Sequence, residues 1–132
     1  MNMKLKSTNI GVIGLGYVGL PLAIEFSYKF PVIGFDINAN RILDLNSGVD
    51  STNEVEKKNL KKANNIKFTS DPDSLKGCNF YIVTVPTPIN KNKRPDLRPL
   101  INASNLIAIV LKKGDVVVYE STVYPGATEE DC

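Results

Sequence analysis

A doubly wound, mostly parallel α/β sheet is the fold this sequence predicts, and three observations predict it. Short apolar runs without polar alternation, such as Ile10-Gly11-Val12-Ile13 and Phe80-Tyr81-Ile82-Val83, read as strands buried on both faces. Segments whose apolar residues recur at helical spacing stand between those runs. The 132 residues, 42% hydrophobic and 23% charged, match an ordinary globular chain and suffice for one domain with one core.

Each element has its own signal. Residues 10–13 form the first strand, which stops at Gly14-Leu15-Gly16-Tyr17-Val18-Gly19. A helix follows over residues 20–30, with Leu22, Ala23, Phe26 and Phe30 at helical spacing and Pro21 in the first turn, where its missing N–H is tolerated. Residues 31–36 are the second strand. Asn38 is a cap for a helix to Asn46, with Ile42 and Leu45 facing inward and Gly48 as the stop. Ser51 and Glu54 have capping-box spacing, so a helix carrying Val55 and Leu60 is expected to open there. Residues 66–69 are a third strand, Asp71-Pro72-Asp73 starts a brief helical turn, and residues 79–85 are a fourth strand ended by Pro86-Thr87-Pro88. Asp96 is placed to cap a long helix to Lys113, with Leu100, Ala103, Leu106, Ile107 and Val110 on one face and Gly114 beyond it. Residues 116–120 are strand five, and Pro125-Gly126-Ala127-Thr128-Glu129-Glu130 opens another helix with acids in its first turn. The sequence stops as that helix begins, before a sixth strand, so the expectation is one domain over residues 1–132 belonging to a longer protein.

Composition excludes several chemistries. No histidine is present, which removes Ser-His-Asp relays, Cys-His pairs and His-bound zinc from this stretch of chain. Sixteen Lys and Arg against fourteen Asp and Glu give a net charge of +2, too balanced to point to nucleic acid or an anionic membrane. Residues 1–7 lack the apolar stretch of a signal peptide, and the longest apolar runs fall far short of the ~20 residues of a membrane span. Two cysteines make no disulfide framework, and a cytoplasmic setting is expected.

The chemistry concentrates in the first turn. Gly14-x-Gly16-x-x-Gly19 follows a strand, opens a helix, and is followed about twenty residues later by Asp36 at the end of the next strand, the context of a Rossmann-type dinucleotide site. In that context Gly14 permits the tight turn, Gly16 lets backbone approach a pyrophosphate, and Gly19 lets helix pack on strand. Asp36 is placed to accept hydrogen bonds from a ribose diol and to repel a 2′-phosphate, favouring NAD over NADP. Arg41 is placed either to stack on adenine or to meet such a phosphate.

Thr87 and Thr122 lie just past strands four and five, at the carboxyl ends where doubly wound sheets bind ligands; each could touch cofactor or substrate, or simply cap a turn. Lys57, Lys58, Lys61 and Lys62 read as a solvated helix face, and the loop Lys91-Asn92-Lys93-Arg94 as solvated or within reach of a phosphate. Cys78 reads as a small core residue, and neither it nor Cys132 has a basic partner in the sequence that would make it a nucleophile.

These residues also carry a resemblance. Gly14-Leu15-Gly16-Tyr17-Val18-Gly19-Leu20-Pro21-Leu22, Val85-Pro86-Thr87-Pro88 and Glu120-Ser121-Thr122-Val123-Tyr124-Pro125-Gly126 resemble the cofactor half of UDP-glucose/GDP-mannose-type nucleotide-sugar dehydrogenases. Lys93-Arg94-Pro95-Asp96-Leu97 and the stretch from Tyr119 to Glu130 are most similar to the bacterial branch acting on UDP-N-acetylhexosamines, which supplies uronic acids for capsule and O-antigen polysaccharides. The resemblance implies oxidation of the sugar C6 alcohol to a carboxylate with two NAD⁺ through a covalent cysteine. It implies NAD contacts at Val18, Asp36, Arg41, Thr87 and Thr122, with Tyr17 in the same turn, and a second role for Thr122 in positioning the reacting water. The nucleophilic cysteine of the family belongs to a later domain, so Cys132 is not that residue. This piece is expected to bind NAD without turning over sugar, and its parent to be a homodimer or higher homo-oligomer. Alternatives are a UDP-glucose or GDP-mannose 6-dehydrogenase, a stand-alone nucleotide-binding module, and a 3-hydroxyacid-type dehydrogenase sharing the glycine turn and acid.

Overall fold

In a computed structural model, which describes residues 7–121 and 127–130, five parallel strands form one sheet. They are β1 (Ile10–Ile13), β2 (Val32–Phe35), β3 (Ile66–Thr69), β4 (Phe80–Val83) and β5 (Val116–Tyr119), in the spatial order β3-β2-β1-β4-β5. The chain leaves β1 for one edge, returns, and crosses to β4, so the order reverses beside β1 and leaves a crevice at its carboxyl end. Registers are regular: Ile13 at the end of β1 stands beside Phe35 on one side and Val83 on the other.

Helices cover both faces because each strand buries alternate residues in opposite directions. Ile10 and Val12 of β1, Val32 of β2 and Ile82 of β4 pack with Leu20, Ala23 and Ile24 of α1 (Gly19–Ser27) and Ile42 and Leu45 of α2 (Ala39–Asn46). Ile13, Phe35, Tyr81 and Val83 pack on the other face with Leu100, Ala103, Ile107 and Val110 of α4 (Arg98–Val110). Leu75, in a 3-10 turn at Pro72–Gly77, completes this second layer. Tyr81 is wholly buried, and its hydroxyl donates to the carbonyls of Leu75 and Cys78 at 3.1 and 3.0 Å, so no polar atom of that ring is stranded in the core. Cys78 is buried, as expected of a core residue. No helix among the described residues is long and apolar enough to cross a membrane.

Most expected elements stand where the sequence puts them. Asn38 caps α2 by accepting from the amides of Asn40 and Arg41, and Gly48, at φ +78°, terminates it. Lys57, Lys58, Lys61 and Lys62 are exposed on α3 (Lys57–Lys62). The short α5 (Ala127–Glu130) lies where a helix start is expected, with Glu129 and Glu130 in its first turn.

Three expectations need correction. The Ser51–Glu54 capping box does not open a helix; α3 starts only at Lys57, because Asp50 takes the amides of Glu54 and Val55 on one carboxylate oxygen, both at 2.9 Å. A carboxylate accepts more and stronger hydrogen bonds than a serine hydroxyl, so the chain folds around Asp50 instead. The first helix ends at Ser27 rather than Phe30, its last turn passing into Tyr28-Lys29. Helix α4 ends at Val110, where Leu111 turns extended, three residues before the expected Lys113.

Candidate functional site

A groove of about 990 Å³ runs across the carboxyl ends of β1, β2 and β4 at the point where the strand order reverses. Its lining comes from residues 13–18 after β1, residues 35–38 and Arg41 after β2, residues 84–87 after β4, and the first turns of α4. Gly14, Gly16, Tyr17, Val18, Asp36, Arg41 and Thr87 are thereby brought together, although they come from three separate parts of the sequence. Thr122 lies outside the described residues. Among those described, the basic loop at 91–94 does not line the groove; it closes on itself through Asn90, whose side chain accepts from the Asn92 and Arg94 amides.

The glycine turn is held from several sides. Gly14 sits at φ +100°, a conformation side chains disfavour, and its amide donates to Phe35 O at 2.8 Å. The next peptide group is gripped at both ends. Its carbonyl, on Gly14, accepts from Thr84 Oγ1 at 2.7 Å, and its N–H, on Leu15, donates to Asp36 Oδ2 at 2.9 Å. The carbonyl of Leu15 accepts from Arg41 Nε at 2.8 Å. A Cβ added to Gly19 would collide with the Gly14 carbonyl and with Thr84 Oγ1, so Gly19 lies beneath the groove floor and serves the site through packing. A Cβ on Gly16, by contrast, would meet nothing within 4 Å, so its absence keeps open a cradle facing the groove.

Helix α1 begins at this turn with Val18 as its N-cap and no side-chain cap hydrogen bond. Valine offers no side-chain cap, the Leu20 amide already donates to the Gly16 carbonyl at 3.2 Å and Pro21 has no N–H, so what the turn offers an oxygen-rich ligand is the backbone ahead of Leu20, aided by the helix dipole. Across the groove, Asp36 spends Oδ2 on Leu15 and Oδ1 on the Asn38 amide at 2.9 Å. Each oxygen retains a lone pair, which is what a ribose diol needs. Tyr17, Val18 and Ile37 are exposed apolar side chains, and all three line this groove.

Arg41 is nine-tenths buried, and its guanidinium is anchored rather than swinging. Nη1 donates to Asp50 Oδ1 at 2.8 Å and to Ser51 Oγ at 3.1 Å, while Nη2 is buried without a hydrogen-bond partner among the described residues. A buried unpaired donor beside the groove fits an oxygen-bearing ligand there. Asp50 backs this arginine. Burial works to raise its pKa, but hydrogen bonds from Thr52, the Val55 amide and Arg41 prevail and hold it down to about 2. Asp50 and Thr84 carry the geometry but no sequence motif, and Ser51, expected as a helix cap, instead accepts from Arg41. The one signal for Thr84 was a hydroxyl at the end of an otherwise apolar strand.

At the outer rim, Arg98 donates from Nε and Nη2 to the Asp96 carboxylate, with the shortest contact 2.7 Å. The Arg98 side chain and then its backbone amide hold the Asp96 carboxyl at about 2. Asp96 also receives the Arg98 amide at 3.0 Å, but the N-cap of α4 is Leu97, which makes no side-chain cap hydrogen bond, so the expected Asp96 cap stands one residue ahead of the helix boundary.

Sheet order, glycine turn, uncapped helix and β2 acid together define a dinucleotide-binding domain. Residues 8–132 match the UDP-glucose/GDP-mannose dehydrogenase family, NAD binding domain, and the chain belongs to that family. It is 59% identical over 128 residues to a UDP-N-acetyl-D-glucosamine 6-dehydrogenase of Pseudomonas aeruginosa, covering 97% of this chain and 30% of that protein. It is 55% identical to Protein CapL of Staphylococcus aureus over 94% of this chain and 29% of that one. A solved UDP-D-ManNAc dehydrogenase from Pyrococcus horikoshii superposes with a TM-score of 0.87 at 38% identity, over 93% of this chain and 30% of the other. The chain therefore spans under a third of the length of these relatives.

Proposed function

We propose that this chain is the N-terminal NAD-binding part of a dehydrogenase that oxidises the C6 alcohol of a UDP-N-acetylhexosamine to the uronic acid. The observation that carries the cofactor half of this reading is the open cradle at Gly16 facing Asp36 across one groove. The substrate half rests on the relative at 59% identity, whose name specifies UDP-N-acetyl-D-glucosamine.

In this reading the amides at the start of α1 and the backbone at Gly16 receive the pyrophosphate, Asp36 receives the adenosine ribose, and the Arg41 Nη2 donor meets an oxygen of the same nucleotide. Thr87, in the groove lining, contacts the cofactor, and Thr122 is assigned a cofactor contact and a part in placing water. NAD, when bound, supplies the hydride acceptor; the chain's own residues bind and orient it. The nucleophilic cysteine and most of the sugar site belong to further domains, and the parent protein is a homodimer or higher homo-oligomer working on a soluble nucleotide sugar in the cytoplasm.

The test has two arms. Calorimetry on the 132-residue chain is expected to show NADH binding in preference to NADPH, and no binding of either would overturn the cofactor assignment. With the full-length protein, NAD reduction is compared for UDP-N-acetylglucosamine, UDP-N-acetylgalactosamine, UDP-glucose and GDP-mannose. Preference for either of the last two would overturn the substrate assignment while leaving the cofactor site standing.

A further inference from the structure

We infer that Thr84 is a positioning residue for the glycine turn, setting the backbone that receives the dinucleotide's pyrophosphate without itself contacting it. The inference deepens the dinucleotide reading of the groove and rests on it.

Strand β1 lies between β2 and β4, and the peptide joining Gly14 to Leu15 is held from both neighbours at once. Asp36, just past β2, takes its N–H, and Thr84, just past β4, gives its hydroxyl to the carbonyl at 2.7 Å. The same hydroxyl lies 3.2 Å from the carbonyl of Ile13, and the Thr84 amide donates to that carbonyl at 2.9 Å, which fixes the threonine backbone in turn. A peptide is planar, so a carbonyl pinned towards β4 keeps the N–H turned towards Asp36. The following peptide is then fixed by Arg41 at the Leu15 carbonyl, which turns the Gly16 N–H away from the arginine. The whole approach surface at Gly16 is thus set by three side chains outside the motif.

This also explains why position 19 must be glycine. The atoms its Cβ would strike are the Gly14 carbonyl and Thr84 Oγ1, the two ends of this hydrogen bond. The third glycine of the motif makes room for a bond that the threonine supplies. Thr84 is buried and its hydroxyl proton has two carbonyls to serve, so replacing it with an isosteric valine leaves the Gly14 carbonyl without that donor and frees the peptide to rotate.

The experiment compares Thr84→Val, Thr84→Ser and Thr84→Ala in the 132-residue chain. NADH affinity is measured by calorimetry, and hydrogen exchange of the Leu15 amide by NMR in the absence of ligand. The Val variant is expected to bind NADH about 10-fold more weakly, the scale of one lost buried hydrogen bond, and to exchange the Leu15 amide faster. The Ser variant is expected to keep both properties near wild type. Should valine prevent folding, Ser and Ala differ by the hydroxyl and carry the same comparison. Equal NADH affinity with and without the hydroxyl would overturn the proposal. If wild type itself fails to bind NADH, the dinucleotide reading falls. Leu15 exchange then still decides on Thr84, supporting its role if it rises in Val or Ala alone and overturning it if it does not change.

Discussion

Asp36 accepts the amide of Leu15 at 2.9 Å, so the acid at the end of β2 is tied to the turn at the end of β1 before any ligand arrives. A carboxylate fixed in this way is preorganised: it presents its remaining lone pairs to a ribose without first losing rotamer freedom. A 2′-phosphate would meet the same fixed negative charge. NADH is expected to bind at least about 10-fold more tightly than NADPH, in line with the ~1.5–3 kcal/mol of hydrogen bonds to a charged group. Asp36→Ala should weaken NADH and narrow the gap, which calorimetry with both nucleotides checks. A wild-type preference for NADPH would contradict the assignment.

The glycines of the turn separate into two kinds. Gly16→Val places its Cβ in open space, so thermal stability should stay within about 3 °C of wild type while NADH affinity falls by more than 10-fold. Gly19→Ala drives a Cβ into backbone and is expected to cost several kcal/mol and much of the folded population. Melting curves beside binding isotherms distinguish them, and a Gly16 variant with unchanged affinity would count against the cradle.

Acid should loosen the chain through Asp50. Its carboxyl is depressed from an ordinary value near 3.8 to about 2, so its contribution is fully present above pH ~4 and is lost as pH falls towards 2. The amount at stake is on the order of 2 kcal/mol. Asp50→Asn should remove this part of the acid dependence. It should also lower stability at neutral pH by roughly 3 kcal/mol, because Arg41 then keeps a buried charge without its partner. Denaturant titrations at pH 7, 4 and 2.5 measure both effects; an Asn variant as stable as wild type at pH 7 would show that the pair is dispensable.

Cys78 is expected to be inert. Burial pushes its thiol up to about 11, Lys112 offsetting only part of that and Asp115 adding to it, so almost no thiolate exists near neutrality. A thiol-alkylating reagent at pH 8, read by peptide mass mapping, should leave Cys78 unmodified in the folded chain and label it in denaturant. Rapid labelling under native conditions would place the side chain elsewhere than in the core.

Much of this was legible in the sequence because the strongest local signals agree with the tertiary fold. Ile10–Ile13 is buried at every position, as an uninterrupted apolar run requires, and Asn38 caps α2 where a short polar side chain precedes an amphipathic segment. The signals that failed were those in competition. Ser51 and Glu54 have the spacing of a cap, but Asp50 beside them is the better acceptor, and its pairing with Arg41, nine residues earlier, decides the local path. Arg41 itself could be placed near the nucleotide from the sequence, yet its anchoring to Leu15 and Asp50 depends on contacts between separate elements that no motif encodes. Thr84 escaped notice for the same reason, since its partner lies 70 residues away.

The two edges of the sheet are guarded unequally. On one side β3 carries Lys67, an exposed charge that discourages another strand from pairing there. On the other, β5 reads Val-Val-Val-Tyr and is half-buried throughout, with no strand beyond it among the described residues. Handled by itself at high concentration, the chain is therefore expected to self-associate through β5 into sheet-extended oligomers. Val118→Lys, on the face of β5 opposite Val117 and Tyr119, which pack on the second core layer, is the change that should keep such preparations monodisperse by light scattering.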